Sequence, residues 1–272
     1  MTLCVSWLRK SFSVEELVIA SDSRLRSCGA WDSNPKIFPL PRKDSFIAFA
    51  GDTMYAYPMI YNLINAINNH KRSLDRFQDL AFFKGFVVRC FNDLLEFRSE
   101  LISGESIPDA QFILGGYSWQ YSKYFIWTIH YDKHINSFTF RPATFWRGVK
   151  GSRKVMFIGD YVDIAKKKLI DLLREKNKLT SGDLDYEPFE VLVDMLKNNS
   201  DMPAIGGAPQ LLKVYRHMNT TAFAVKWKVN SKSRIVFLGR PFQAAEKLSH
   251  PLIDPETMVI SNTTNIENDF EE

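Results

Sequence analysis

The sequence predicts an α+β fold in which two antiparallel sheets pack face to face with helices outside them. Strand-type and helix-type segments are segregated along the 272-residue chain, whereas a parallel sheet would alternate them one by one. The chain is 45% hydrophobic and 14% aromatic, which is enough to bury one substantial core or two small ones. We therefore expect one folded domain over residues 1–240 and a partly ordered C-terminal extension over residues 241–272.

The first fifth of the chain is predicted to be sheet. Residues 2–7 and 16–21 are short segments rich in β-forming residues with a polar stretch between them, which indicates a hairpin. Residues 36–40 and 45–50 repeat this pattern around a Pro-Arg-Lys-Asp turn. Two hairpins are therefore expected before the first helix.

The later elements follow from changes in hydrophobic period. Apolar residues at helical spacing begin near Met54 and again near Phe83, which predicts two helices after the first sheet. A run of strands, two further helices and a closing set of strands come next. The predicted strands cover residues 111–115, 124–131, 137–140, 154–158, 210–216, 222–228 and 234–238, and the later helices cover residues 162–176 and 189–196.

Composition narrows the classes of function. The formal net charge of +4 comes from 35 basic and 31 acidic residues spread along the chain, which is weak support for nucleic-acid binding. The three cysteines lack zinc-type or paired spacing, and no stretch approaches the roughly 20 apolar residues that cross a bilayer. His130 and His134 fall in a strand-and-turn pattern that favours a polar hairpin tip over a metal pair. We expect a cytoplasmic protein that needs no metal or cofactor and binds neither nucleic acid nor membranes.

Several short motifs occur together in a recognisable order. They are Thr2 after the initiator Met, residues 20–24 (Ala-Ser-Asp-Ser-Arg), residues 35–37 (Pro-Lys-Ile) and residues 49–53 (Phe-Ala-Gly-Asp-Thr). Looser matches follow at residues 114–117, 157–160 and 204–207. In this order and spacing the chain resembles proteasome β subunits and the HslV-type bacterial peptidase. The resemblance is good over about the first 70 residues, and it implies a four-layer αββα sandwich of the N-terminal-nucleophile (Ntn) hydrolase type.

The resemblance implies a catalytic threonine. Threonine is a weak nucleophile near neutral pH, but a free α-amino group on the same residue can act as its base, since the ordinary pKa of that group is about 7.7 to 8.0. Removal of Met1 would therefore leave Thr2 with both functions. The matched positions assign Lys36 and Asp22 as the supporting ion pair, and the backbone N–H of Gly51 as the oxyanion donor.

The remaining site assignments also come from the resemblance. Ser27, Phe49 and Thr53 match substrate-binding positions, and a bulky Phe49 implies a shallow first specificity pocket. Active members of the family place serines where this chain has Asp160 and Ile205. Asp160 is expected to bond the terminal amine instead, and Asp201 is expected to supply the remaining carboxylate, although its offset from Gly206 is unusual.

Three functions stay open at this point. The leading hypothesis is a threonine peptidase in a ring-shaped homo-oligomer, which cleaves peptides or unfolded proteins that an ATP-dependent unfoldase supplies. The second is a catalytically degraded assembly or regulatory protein, which the altered positions 160 and 205 favour. The third is an Ntn amidase that acts on small amides.

Overall fold

The computed structural model describes residues 2–11, 13–26, 29–98, 108–143, 154–180, 183–229, 232–243 and 245–262. The strands are β1 (Leu3–Ser11), β2 (Val14–Ser21), β3 (Leu25–Arg26), β4 (Ala30–Trp31), β5 (Ile37–Pro39), β6 (Ser45–Gly51), β7 (Ala110–Ser118), β8 (Lys123–Asp132), β9 (Ser137–Pro142), β10 (Val155–Gly159), β11 (Gln210–Tyr215), β12 (Asn219–Val229), β13 (Lys232–Phe237), β14 (Arg240–Pro241), β15 (Leu252–Ile253) and β16 (Ile260–Ser261). The helices are α1 (Thr53–Asn69), α2 (Lys71–Leu74), α3 (Leu80–Glu96), α4 (Val162–Glu175) and α5 (Glu187–Lys197).

The larger sheet has the strand order β10-β1-β2-β11-β12-β13-β14, and β15 and β16 extend it beside β12. Its pairings are antiparallel except for the short parallel pair of β12 and β15. Strand β1 lies between β10 and β2, in a register that sets Leu3 opposite Gly159 and Cys4 opposite Ser21. The start of β1 is therefore adjacent to the residues that follow β2 and β10.

The smaller sheet is fully antiparallel and has the order β5-β6-β7-β8-β9. The alternation of side chains along β6 explains how the smaller sheet packs. Ile47 and Phe49 join the apolar cluster formed with α1 and α3, whereas Phe46, Ala48 and Ala50 join a second cluster with residues of the larger sheet. Successive side chains of a strand point to opposite faces, so one strand contributes to two cores.

A third apolar cluster covers the other face of the larger sheet. Val5 and Trp7 of β1 belong to it together with Leu169 of α4 and Phe189 of α5. The two helix pairs thus pack on different sheets, while the two sheets share the cluster between them.

The α+β class with large antiparallel sheets is confirmed, and the main elements lie within a few residues of their predicted bounds. The patterns did not predict α2, the β3–β4 ribbon, or the strands β14 to β16, which add residues beyond 240 to the larger sheet. Within the described residues, no helix has the length and apolar character that a membrane crossing requires.

Candidate active site

A buried ion pair lies beside the start of β1. The ammonium of Lys36 donates to Oδ1 of Asp22 at 2.9 Å, and both side chains are fully buried. Removing two charges from water is costly unless further hydrogen bonds satisfy them. The Asp22 carboxylate also accepts the backbone N–H groups of Leu3 at 3.1 Å, Arg24 at 3.0 Å and Gly206 at 3.2 Å. Four donors from four separate segments therefore hold this carboxylate in place.

Gln210, at the start of β11, forms hydrogen bonds with the segments that carry Asp22 and Lys36. Its Oε1 accepts the backbone N–H of Lys36 at 3.0 Å, and its Nε2 donates to the carbonyl oxygens of Asp22 and Asn34 at 3.2 and 2.7 Å. The side chain is fully buried, so these bonds satisfy polar groups that water cannot reach. Gln210 was not among the predicted site residues, and the available signal was a polar residue at the start of a mostly apolar strand.

Thr2 is fully buried beside the turn that follows β10. Its backbone N–H donates to Oδ2 of Asp160 at 2.7 Å, and the backbone N–H of Asp160 donates to the carbonyl oxygen of Thr2 at 2.6 Å. Gly159 makes this approach possible: its φ is +101°, and a Cβ at this position would overlap the Thr2 carbonyl oxygen. The turn therefore fixes the backbone of Thr2 on both sides.

Gly51 ends β6 next to an open cleft. Its φ is +104°, and a Cβ there would overlap the carbonyl oxygen of Asp109. Asp52 then caps α1 by accepting the backbone N–H of Met54 at 2.9 Å, which turns the chain from strand to helix. The cleft has a volume of about 660 Å³, and Gly51, Thr53 and the exposed Trp31 are among the residues that line it.

Of the three residues predicted to bind substrate, the two that the structure describes lie in different places. Thr53 lines the cleft. Phe49 is fully buried in the cluster with α1 and α3, its ring 5.1 Å from that of Tyr57, because strand alternation places it on the helix side of the sheet. The resemblance placed Phe49 in a pocket, whereas the described residues that line this cleft do not include it. Ser27 lies outside the described residues.

The turn after α5 contributes backbone to the site but does not bring in the expected carboxylate. Asp201 is exposed, and among the described residues it forms no hydrogen bond or ion pair with the cluster around Asp22. Met202 and Ile205 are buried in the core under α5, so the turn is anchored by its apolar residues and leaves Asp201 in solvent. The contribution of this turn is the N–H of Gly206.

Cys4 is a thiol close to this cluster, and its burial disfavours the reactive thiolate form. Burial raises the pKa of this thiol to about 12, although a contact with the Ser21 hydroxyl at 3.0 Å offsets part of the effect. A thiol with such a pKa stays protonated near neutral pH and is a poor nucleophile. Across the described part of the chain, His, Cys, Asp and Glu side chains form no group of three that could hold a metal ion.

Comparison with known proteins gives a structural match alone. No protein-family model and no curated protein matches this chain. The solved structure of the helical assembly of the Anbu complex from Pseudomonas aeruginosa is similar, with a TM-score of 0.57 and 17% identity over 90% of this chain and 88% of that one.

The assignment of this chain to the proteasome β-subunit and HslV-type family is therefore wrong. It depended on short motifs that are each common, and two of its supporting turns differ at Asp160 and Ile205. The chain shares its fold with a subunit of the Anbu complex.

Proposed function

We propose that this chain is a hydrolase that uses an N-terminal threonine to cleave amide bonds in peptides, after removal of Met1. The observation that carries the proposal is the fully buried Lys36–Asp22 pair beside the start of β1, next to Thr2, whose backbone nitrogen is held by Asp160. Burying a charge pair costs desolvation free energy, and replacing such a pair by apolar side chains often leaves folding stability equal or higher. Packing alone is therefore a weak reason to retain the pair. The three apolar clusters support a four-layer αββα sandwich around this site.

In the proposed mechanism, the α-amine of Thr2 takes the hydroxyl proton while Oγ1 attacks the substrate carbonyl. An ester bond forms at Thr2, the amide C–N bond breaks, and the leaving amine receives the proton. Water then hydrolyses the ester and regenerates Thr2. Lys36 stabilises the negative charge that develops, Asp22 orients Lys36, and the N–H of Gly51 is the proposed oxyanion donor at the cleft edge.

Asp160 gives this mechanism a specific dependence on pH. A carboxylate at hydrogen-bond distance favours the protonated form of the amine that it accepts from, and only the neutral amine can act as a base. We expect the substitution Asp160→Asn to move the acidic limb of the kcat/KM profile to lower pH. Rate measurements between pH 5 and pH 9 test this, and a limb that stays in place or moves upward contradicts the assignment of Thr2 as its own base.

The proposal includes self-association, as in the helical assembly of the Anbu complex. Phe77, Phe82 and Trp119 are large, exposed and clustered around one cleft of about 500 Å³, and an apolar surface of this kind is typical of protein contacts. A closed ring, an unfoldase partner and a cytoplasmic location stay predictions. Mass photometry of the purified protein measures the assembly, and a stable monomer at micromolar concentration contradicts it.

The decisive experiment combines processing and activity. Intact mass should show loss of Met1, and the processed protein should cleave members of a diverse peptide panel and form an ester adduct with a β-lactone at Thr2. We expect Thr2→Ala to abolish both reactions, whereas the control Thr220→Ala, on a strand far along the chain, should keep them.

The other outcomes identify the alternatives. Cleavage of small amides but not of peptides supports the amidase. A processed, assembled protein that cleaves nothing and forms no adduct shows that the site is degraded, and the function as an assembly or regulatory protein then replaces the enzyme.

A further inference from the structure

The inner face of the smaller sheet changes character along β8. Tyr124 and Ile126 are buried in the cluster that the two sheets share, but Thr128 and His130, the next residues on that face, are polar. This change lies at the edge of the larger sheet, where β10 is the terminal strand of that sheet. Among the described residues, no apolar segment covers the smaller sheet beyond this edge.

A cleft lies at this edge. It has a volume of about 550 Å³ and is lined by Gln111, Thr128, His130 and Arg141 of the smaller sheet and by Phe157 and Ile158 of β10. The strand register places Gln111 opposite His130 and Thr128 opposite Arg141. Strand pairing thus holds four side chains with hydrogen-bond donors together on one face, over three adjacent strands.

Two of these side chains offer polar groups that the described residues leave unsatisfied. Within that part of the chain, the buried Nε2 atom of His130 has no hydrogen-bond partner and Arg141 forms no ion pair. The pKa of His130 is lowered by burial and by the Arg141 guanidinium, against the opposing effect of Asp132. Asp109, which is exposed, also lines the cleft. A buried nitrogen without a partner and a neighbouring cation leave a site suited to an acceptor that carries negative charge.

We propose that this cleft binds a small oxyanion of phosphate or carboxylate chemistry, with Arg141 as the charge partner and His130 and Gln111 as further donors. This cleft adjoins the one at Gly51, since Asp109 lines both, but its proposed donors do not line that cleft. The proposal does not depend on the chemistry of Thr2. A bound anion offsets the charge of Arg141, so it raises the pKa of His130 toward its ordinary value.

Titration with inorganic phosphate, and separately with succinate, tests the site at constant ionic strength set by sodium chloride. The readouts are isothermal calorimetry and the NMR signal of the His130 ring, identified by its loss in His130→Gln. We expect saturable binding of one of the two anions and an upward shift in the pKa of His130. Saturation by phosphate alone or by succinate alone identifies the source of the anion.

The variants make the test specific. Arg141 is exposed, so Arg141→Gln should fold normally, which circular dichroism verifies, and should bind the anion at least tenfold more weakly. Arg234→Gln removes the same charge from an exposed position on β13 and should bind as the parent protein does. Equal weakening in both variants means that binding depends only on the net charge of the protein, and this result overturns the proposal. The absence of saturable binding by either anion also overturns it.

Discussion

Replacing Asp22 by alanine should be among the most destabilising single changes in this chain. The substitution leaves the Lys36 ammonium buried without the carboxylate at 2.9 Å, and it removes the acceptor of three backbone N–H groups. Breaking a buried ion pair by removing one partner typically costs about 3 to 5 kcal/mol. Because the orphaned N–H groups add to this loss, we expect the free energy of unfolding to fall by about 5 kcal/mol, at the top of that range.

Lys36→Met provides the comparison that tests the reasoning. This change also breaks the ion pair, but the Asp22 carboxylate keeps the N–H groups of Leu3, Arg24 and Gly206. The methionine side chain also fills most of the volume of the lysine stem. We therefore expect a smaller loss, roughly 3 kcal/mol, at the lower end of the range for broken buried pairs. The double variant Asp22→Asn/Lys36→Met should recover part of the stability, because no net charge is left in the site.

Urea denaturation at pH 7, followed by circular dichroism, measures these differences. Asp201→Ala is the matched control, because it removes an exposed carboxylate and should change stability by no more than about 0.5 kcal/mol. A smaller loss of stability in Asp22→Ala than in Lys36→Met, or a loss no larger than that of the Asp201 control, contradicts the proposed role of the Asp22 hydrogen bonds. Either result means that the backbone contacts of Asp22 contribute little.

Three further outcomes are expected. Gly159→Ala should destabilise the fold and displace Thr2, because the backbone at this position has positive φ and the new Cβ meets the Thr2 carbonyl oxygen. The control Gly85→Ala, in the middle of α3 with open space around it, should stabilise the fold by about 0.5 to 1 kcal/mol. Thermal melts of both variants measure the difference. Burial lowers the pKa of His250, whose ring stacks on that of Phe237 at 4.2 Å. The folded state therefore favours the neutral imidazole, so His250 contributes stability above the ordinary histidine pKa, and this contribution is lost as pH falls through the lowered pKa. Urea midpoints at pH 7 and pH 5 should therefore differ less in His250→Gln than in the control His134→Gln, and an unchanged difference contradicts the assignment. Replacing Phe77 and Phe82 by serine should weaken self-association in sedimentation experiments, whereas Val14→Ser, at an exposed hairpin end, should not; equal assembly of both variants rules out the aromatic surface as a contact.

The sequence predicts those parts of this fold that depend on local periodicity. The alternation in β6 and the helical spacing in α1 and α3 arise from burial on one face at a time, so residues 45–50 and the region after Met54 could be assigned from neighbours alone. The class and order of the main elements followed from the same signals.

The details of the site depend on contacts between distant segments, and local patterns could not supply them. Gln210 gains its role only because β11 pairs with β2 and brings its amide to Lys36. Asp201 was expected in the cluster on the basis of the resemblance, but burial of Met202 and Ile205 decides how the turn lies. Likewise, the resemblance gave the identity of residue 49 and not the face on which its ring packs.

The set of donors around Asp22 has a consequence for the growing chain. Gly206 donates to this carboxylate across 184 residues, and Asp160 reaches Thr2 across 158 residues. A ribosome adds about 5 to 20 residues per second, so roughly 10 to 30 s separate the synthesis of Lys36 from that of Gly206. Throughout this interval the nascent chain carries Thr2 and Lys36 without the segments that fix their positions. Under the proposed function, we therefore expect the chain to stay chemically inert during translation and to become competent only when its final third has docked, which would protect the unfinished protein and its neighbours from premature cleavage.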